Sequence, residues 1–245
     1  WPKMGILKWP LTTYKTYREF YKRRVLLLAQ YHDNLDEFQA FVRDNPRFIY
    51  KPLSESCGKG VRIIDPTEFS SPQELYHSLR KNAGVAEELI IQDERLGQFH
   101  PSSVNTIRMP QVINRAGETV IFSPVLRVGQ KNSIVDNAGA GGILANIDPN
   151  TGVVYTDGAD EFGNRYTRHP QTNVTFKGFV IPRWDEAVCL VKELSRVLPT
   201  VRYIGWDLAL TRDGWVVVEG NVCAEFKVLQ IADKRGLRDS LCKMI

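Results

Sequence analysis

Cysteine is scarce in this chain and widely scattered. Cys57, Cys189, Cys223 and Cys242 form neither the close pairs of a zinc site nor the density of a disulfide-stapled secreted scaffold, so they read as reduced thiols in a cytoplasmic protein. No run approaches the ~18 consecutive apolar residues of a membrane span, and nothing after Trp1 has the pattern of a signal peptide. Internal repeats and low-complexity tracts are missing. So is a Gly-Lys-Ser/Thr loop opening a helix, which excludes a Walker A nucleotide site. A formal net charge of +4 is too small an excess to argue for nucleic acid, and an anionic small ligand fits it equally well. What remains is an ordinary globular composition, 43% hydrophobic and 24% charged. Its 245 residues suffice for one large domain or two small lobes. The abrupt start at Trp1 leads us to expect an upstream segment.

Residues 11–44 have helical spacing, with Tyr14, Tyr17, Phe20 and Tyr21 interleaved with Lys15, Arg18, Lys22, Arg23 and Arg24. Such a face can touch a membrane surface or an acidic partner, but the spacing favours aromatics packed on a core with their charges in water. A second helix is expected from Leu35 to Arg43. Then come a strand over 47–52, a loop over 53–60 and a strand over 61–64. Ser54, Ser56, Gly58, Lys59 and Gly60 in that loop, with Lys51 at its edge, suit a lid whose backbone amides and lysines meet phosphates; a flexible hairpin tip is the plainer alternative. Ser71-Pro72 opens a helix to about Lys81, with Glu74 completing a capping box. An apolar strand over 88–92 breaks into Asp93-Glu94-Arg95-Leu96.

From Val104 the chain reads as a second, sheet-rich lobe. Strands are expected at 105–108, 111–113 and 119–128, followed by a polar glycine-rich loop over 129–142 that holds Asp136 and Asn137. His169 reads as a loop contact rather than a catalytic base. A helix spans 184–198, and another closes the chain over 227–242. Between them, residues 203–221 form two β-rich runs about an Asp-Gly turn. A three-residue loop of Arg212, Asp213 and Gly214 sets Thr211 opposite Trp215 and Asp207 opposite Glu219. Counting by twos, Asp207, Ala209, Val217, Glu219 and Asn221 share one face, and Trp206, Leu208, Leu210, Val216 and Val218 the other. Two carboxylates and an amide on one face are a seat for Mg²⁺ if phosphates complete it, or otherwise a solvated strand face.

Several separated strings share one resemblance: Lys51-Pro52 with Gly58-Lys59-Gly60-Val61, Asp93-Glu94, Val104-Asn105-Thr106-Ile107-Arg108, Leu126-Arg127-Val128-Gly129, Val135-Asp136-Asn137 with Gly141-Gly142, and Gly205-Trp206-Asp207 with Glu219-Gly220-Asn221. Over about residues 45–231 the chain resembles the ATP-grasp superfamily, and within it the sugar-transfer-associated, glutamate-ligase-like branch. The resemblance implies an α+β fold in which two lobes with mainly antiparallel sheets sandwich ATP, with Mg²⁺ on its phosphates. It implies a helical segment over 1–44, a small lobe over 45–100 and a large lobe over 101–245.

It further implies that Lys51 and the loop residues Ser54, Ser56, Gly58, Lys59 and Gly60 hold phosphates. Gln92, Asp93, Glu94 and Leu96 would frame the adenosine, joined at the nucleotide by Asn137. Asp207, Glu219 and Asn221 would ligate metal, while Arg108 and Arg127 would steady the transferred phosphate in catalysis. The implied activity is ATP-dependent carboxylate–amine ligation through an acyl phosphate, with a small-molecule, amino-acid or glycan carboxylate and amine as partners. A kinase of the same fold, a non-catalytic nucleotide-binding module and a carboxylate-pair hydrolase are the alternatives. The superfamily's further upstream lysine and domain have no counterpart before Lys51, where about 50 residues are too few.

Overall fold

The computed structural model describes residues 10–55, 58–131, 133–136, 138–222 and 224–244. Two short helices, α1 (Pro10–Thr16) and α2 (Arg18–Tyr21), lead into a small lobe built from β1 (Val25–Leu28), α3 (Leu35–Asp44), β2 (Phe48–Pro52), β3 (Arg62–Ile64), α4 (Pro72–Arg80) and β4 (Gly84–Glu88). Its four strands are antiparallel in the order β1-β4-β2-β3. Apolar residues of α3 and α4 meet one face of the sheet, so Phe38, Phe41, Leu75, Tyr76 and Leu79 are buried against Leu28, Phe48 and Tyr50. The start of α4 follows its sequence: the Ser71 hydroxyl accepts from the Glu74 amide at 3.1 Å, and Glu74 accepts from the Ser70 amide at 2.9 Å.

The large lobe continues through α5 (Glu94–Gly97), β5 (Thr106–Ile113), β6 (Thr119–Ile121), β7 (Val125–Val128), β8 (Ile143–Asn146), β9 (Gly158–Ala159), β10 (Arg165–Tyr166), α6 (Trp184–Val197), β11 (Tyr203–Thr211), β12 (Gly214–Asn221), α7 (Lys227–Gln230) and α8 (Arg238–Met244). Its antiparallel sheet runs β10-β9-β8-β7-β5-β11-β12, with β6 paired to β5. One face carries the main core, where Ala187, Val191 and Leu194 of α6 meet Ile107, Met109, Leu126, Trp206 and Leu208. Part of the other face is covered by Leu229 of α7, by Leu237 just before α8 and by Leu241 of α8. The expected α+β architecture of two antiparallel lobes is therefore present.

Three local expectations need correction. The helical segment expected from residue 11 breaks at Lys22, whose positive φ of 48° ends α2, and the chain then forms β1 and pairs with β4. Its aromatics pack as the spacing favoured, with Tyr14, Tyr17 and Tyr21 buried in the large-lobe core and the Tyr17 ring edge-on to Trp206 at 4.8 Å. The strand expected over 88–92 lies earlier, at Gly84–Glu88, where long-range pairing with β1 and β2 selects the register. The strand expected over 119–128 is split at Ser123, φ 48°, just before Pro124.

Candidate functional site

Strict alternation along the central strands builds the site. Ile107 and Met109 on β5, Leu126 and Val128 on β7, and Trp206 and Leu208 on β11 enter the core. The residues between them, Thr106, Arg108, Arg127 and Asp207, are left on the opposite face. Across the ladder Arg108 faces Asp207, Thr106 faces Arg127, and Glu219 of β12 faces Asp207 from the other side, with Asn221 opposite Gly205. The Arg108 guanidinium binds Asp207 with two parallel bonds, Nε to Oδ1 at 2.5 Å and Nη2 to Oδ2 at 2.9 Å. Arg127 Nη1 lies 2.8 Å from Asp207 Oδ2 as an ion pair, although its N–H is not aimed well enough to count as a hydrogen bond. Burial alone would raise the Asp207 pKa; the two arginines outweigh it and hold it down to about 2. Gly205 gives Arg108 the space to lie flat, since a Cβ there would collide with Ala224 and come within 3.2 Å of Arg108 Cδ.

A second carboxylate completes the buried part of the cluster. Asp136 accepts from the Thr106 amide at 2.9 Å and from its hydroxyl, and Arg127 Nη2 stands 3.2 Å from its other oxygen. Burial raises its pKa, against the pull of Arg127. Burial likewise opposes the Arg127 charge, but Asp136 and Asp207 outweigh it and keep the guanidinium protonated. Glu219 is different: its side chain is open to solvent although both lobes crowd it. That crowding, and then the charge on Asp207, raise its pKa above the ordinary 4.5, while Lys51 of the small lobe and Arg108 act in the other direction. Asn221 Nδ2 is buried with no hydrogen-bond partner, an orphaned polar group beside the two acids.

Lys51 comes to this cleft from β2 and pairs with Glu87 of β4 at 2.9 Å. Glu87 also binds Arg23, whose Nε and Nη2 lie 3.2 and 2.8 Å from Oε2. Burial works against the Glu87 charge, but Lys51 and Arg23 outweigh it and lower its pKa. Beyond Lys51, the loop root places Ser54 and Lys59 in solvent, and Gly58 and Gly60 take positive φ of 74° and 68°. Ser56 and Asn137 lie outside the described residues.

The residues expected to frame adenosine are mostly spent on structure. Gln92 Oε1 accepts from the Asn105 amide at 3.0 Å, and its Nε2 donates to Ser103 O at 2.6 Å. Asp93 caps α5 through the Arg95 amide at 2.9 Å and grips the Arg95 side chain, and Leu96 is fully buried in the core. Glu94 alone of the four has its side chain exposed and unspent on these contacts. His169 is a loop contact as expected: its Nε2 lies 2.9 Å from Gly129 O, and burial lowers its pKa.

The expected pairing of Asp207 with Glu219 is present, but the register near the turn is not. Thr211 pairs with Gly214 rather than Trp215, and a β-bulge between Asp207 and Leu208 skips Val218. Val217 therefore sits opposite Leu208 in the core, and Val216 opposite Ala209, an exchange of the two faces assigned to them by counting. Three site residues escaped the sequence reading. Asp136 lies next to the expected Asn137, and Glu87 is an acid inside an apolar strand, a signal that was there to see. Arg23 gave none, because it was one basic residue among five on an expected helix.

Asp207, Glu219 and the Asn221 amide carry hard oxygen atoms of the kind a divalent cation such as Mg²⁺ takes. No group of three His, Cys, Asp or Glu forms a closed cage among the described residues, so water or a bound anion has to supply the remaining ligands. In fold, the chain is similar to the ATP-grasp ligase PsnB, solved with a precursor variant, Mg and ADP: TM-score 0.57, 13% identity, 98% of this chain and 58% of that one. It is similar to N5-carboxyaminoimidazole synthetase from Staphylococcus aureus with ADP, at TM-score 0.53 and 12% identity over 91% of this chain and 46% of that one. D-alanine–D-alanine ligase from Bacillus anthracis aligns at TM-score 0.50 and 14% identity, over 90% and 58%. The chain thus spans 58% or less of the length of these structures. No curated protein matches its sequence. The family model for sugar-transfer associated ATP-grasp matches residues 13–244, and the chain belongs to that family.

Proposed function

We propose that this chain is the nucleotide-binding core of an ATP- and Mg²⁺-dependent carboxylate–amine ligase. The observation that carries the reading is the convergence across the cleft of Lys51 from the small sheet on Glu219 and Asp207 of the large sheet, with Arg108 and Arg127 alongside. A cation held by Asp207, Glu219 and the Asn221 amide oxygen supplies charge neutralisation to the ATP phosphates. Lys51 adds a point charge at the phosphates, and the 53–60 loop closes over them. The 92–96 segment contributes backbone groups and Glu94 to the adenosine.

The acceptor carboxylate oxygen attacks the γ-phosphorus and ADP leaves. An amine nitrogen then attacks the acyl carbon, inorganic phosphate departs, and the amine proton passes to water. Arg108 and Arg127 neutralise the phosphate oxygens in both steps, and no side chain is required as a covalent nucleophile. The sugar-transfer association of the family and the precursor peptide bound by PsnB support a carboxylate borne on a glycan, amino acid or peptide. No helix among the described residues is long and apolar enough to cross a membrane.

The test is calorimetric titration with Mg-ATP followed by a screen of carboxylate and amine pairs for ADP release. Amide, ADP and phosphate in equal amounts support the ligase. A stable phosphorylated product would make the chain a kinase, and absence of metal-dependent ATP binding would overturn the reading altogether.

A further inference from the structure

Arg23 lies between the two lobes, where the chain passes from α2 on the large-lobe core into β1 of the small sheet. Its side chain is only 5% exposed. One edge of the guanidinium grips Glu87, the same carboxylate that holds Lys51. The other reaches β12, Nη1 donating to Val217 O at 2.6 Å and Nη2 contacting Val218 O at 3.3 Å. Those two carbonyls belong to the bulge that breaks the β11–β12 ladder. Nη1 also donates to Tyr21 O at 3.2 Å, and the guanidinium carbon stacks 4.8 Å from the Tyr21 ring centroid, which fixes its direction.

The bulge decides where Glu219 points. If Val218 were paired in the ladder instead of bulged out of it, the pairing set at the turn would carry Glu219 to the core face. A bulge leaves backbone groups out of the ladder, and a buried carbonyl needs a donor from elsewhere. Only a planar cation with donors on several edges can serve two carbonyls and a carboxylate at once, which an ammonium on a flexible stem does poorly.

We infer that Arg23 is a positioning residue that sets Lys51 and Glu219 together, by holding Glu87 from one side and the Val217–Val218 bulge from the other. The inference rests on the nucleotide and metal reading above. It adds that the two lobes' contributions to the site are coupled through one side chain which touches neither nucleotide nor metal.

The test uses Arg23→Ala and Arg23→Lys in the whole chain, with ATP titrated calorimetrically at several Mg²⁺ concentrations and amide hydrogen exchange read at residues 217–220. Removal of groups that orient a ligand shell costs roughly 10–100-fold in metal affinity. We expect Arg23→Ala to lose that much of the Mg²⁺-dependent part of ATP binding, with faster exchange at the bulge. Arg23→Lys keeps the ion pair with Glu87 and serves if the alanine variant folds poorly; it should weaken the Mg²⁺ dependence without abolishing ATP binding. Arg23→Ala combined with Glu219→Gln should lose less than the sum of the two single losses, because part of the effect of Arg23 runs through Glu219. Additive losses, or variants with wild-type Mg²⁺ dependence and unchanged exchange, would overturn the role of Arg23 while leaving the nucleotide site standing. A wild-type chain without Mg²⁺-dependent ATP binding would remove both.

Discussion

Asp207 and Glu219 share one sheet face and one expected ligand role, yet removing them should affect stability in different ways. Asp207 is the anion that keeps two nearly buried guanidiniums together: the side chains of Arg108 and Arg127 are 11% and 8% exposed, and that of Asp207 is 6% exposed. The fall of its pKa from 3.8 to about 2 corresponds to roughly 2–3 kcal/mol in favour of the charged form, at about 1.4 kcal/mol per unit. Asp207→Ala loses that and leaves the two arginines facing each other, with Asp136 as the remaining ion-pair partner of Arg127. Breaking a buried pair in this way costs about 3–5 kcal/mol.

Glu219 is in the opposite condition. Its raised pKa means that the fold disfavours its charge, so Glu219→Gln keeps the shape and removes a repulsion with Asp207. Its stability should match the wild type within about 0.5 kcal/mol or exceed it. Both variants should lose Mg²⁺-dependent ATP binding. Urea unfolding followed by the fluorescence of the buried Trp206 and Trp215 measures the first quantity, and titration calorimetry the second. The reasoning fails if Asp207→Ala costs less than about 1 kcal/mol, or if Glu219→Gln costs more than about 2 kcal/mol, because Asp207 would then not be the ion that holds the cluster.

Three further outcomes follow from the same geometry. A cation competes with the proton on Glu219, so Mg²⁺-dependent binding should strengthen as pH rises through the raised pKa of this group, above 4.5, with protons released on binding; calorimetry in buffers of different ionisation enthalpy reads them, and Glu219→Gln should abolish the release. The same raised pKa means that metal-free stability declines as pH climbs from the unfolded value through the folded one, a decline that Glu219→Gln should remove from a series of urea titrations. Gly205→Ala should cost about 1–3 kcal/mol, measured by thermal unfolding, because its Cβ collides with Ala224 and crowds Arg108, which is tied to Asp207.

Arg108 and Arg127 were named through the family resemblance, but local alternation carries them as well. Thr106-Ile107-Arg108-Met109 and Val125-Leu126-Arg127-Val128 put charge between apolar residues at period two, which fixes the arginines on the face away from Ile107, Met109, Leu126 and Val128 once that face is buried. Helix α3 and the capping box of α4 were equally legible, because both are local. Short apolar runs were not. Val25-Leu26-Leu27-Leu28 has no period to distinguish strand from helix, and leucine favours the helix; pairing with β4, about 60 residues away, decides the matter. Glu87 and Arg23 were lost with it, since their partnership exists only when β1 lies beside β4 and α2 rests on the large lobe.

The hairpin shows how a correct face can follow from an incorrect register. Counting from a turn in which Thr211 met Trp215 gave Asp207 opposite Glu219, yet the ladder begins one step earlier, with Thr211 on Gly214. Carried regularly to the other end, that shift would have turned Glu219 toward Trp206 and buried a carboxylate in the core, at a cost of several kcal/mol. The bulge at Val218 cancels it within a single residue, and the residues between turn and bulge, Trp215, Val216 and Val217, exchange faces. Burial favours this solution, since it keeps Val217 inside and Glu219 out, but a bulge has orphaned carbonyls that the hairpin's own residues cannot satisfy. The donor comes from Arg23, 194 positions away from Val217, which is why the irregularity that orients the Asp207–Glu219 face could not be read from the hairpin alone.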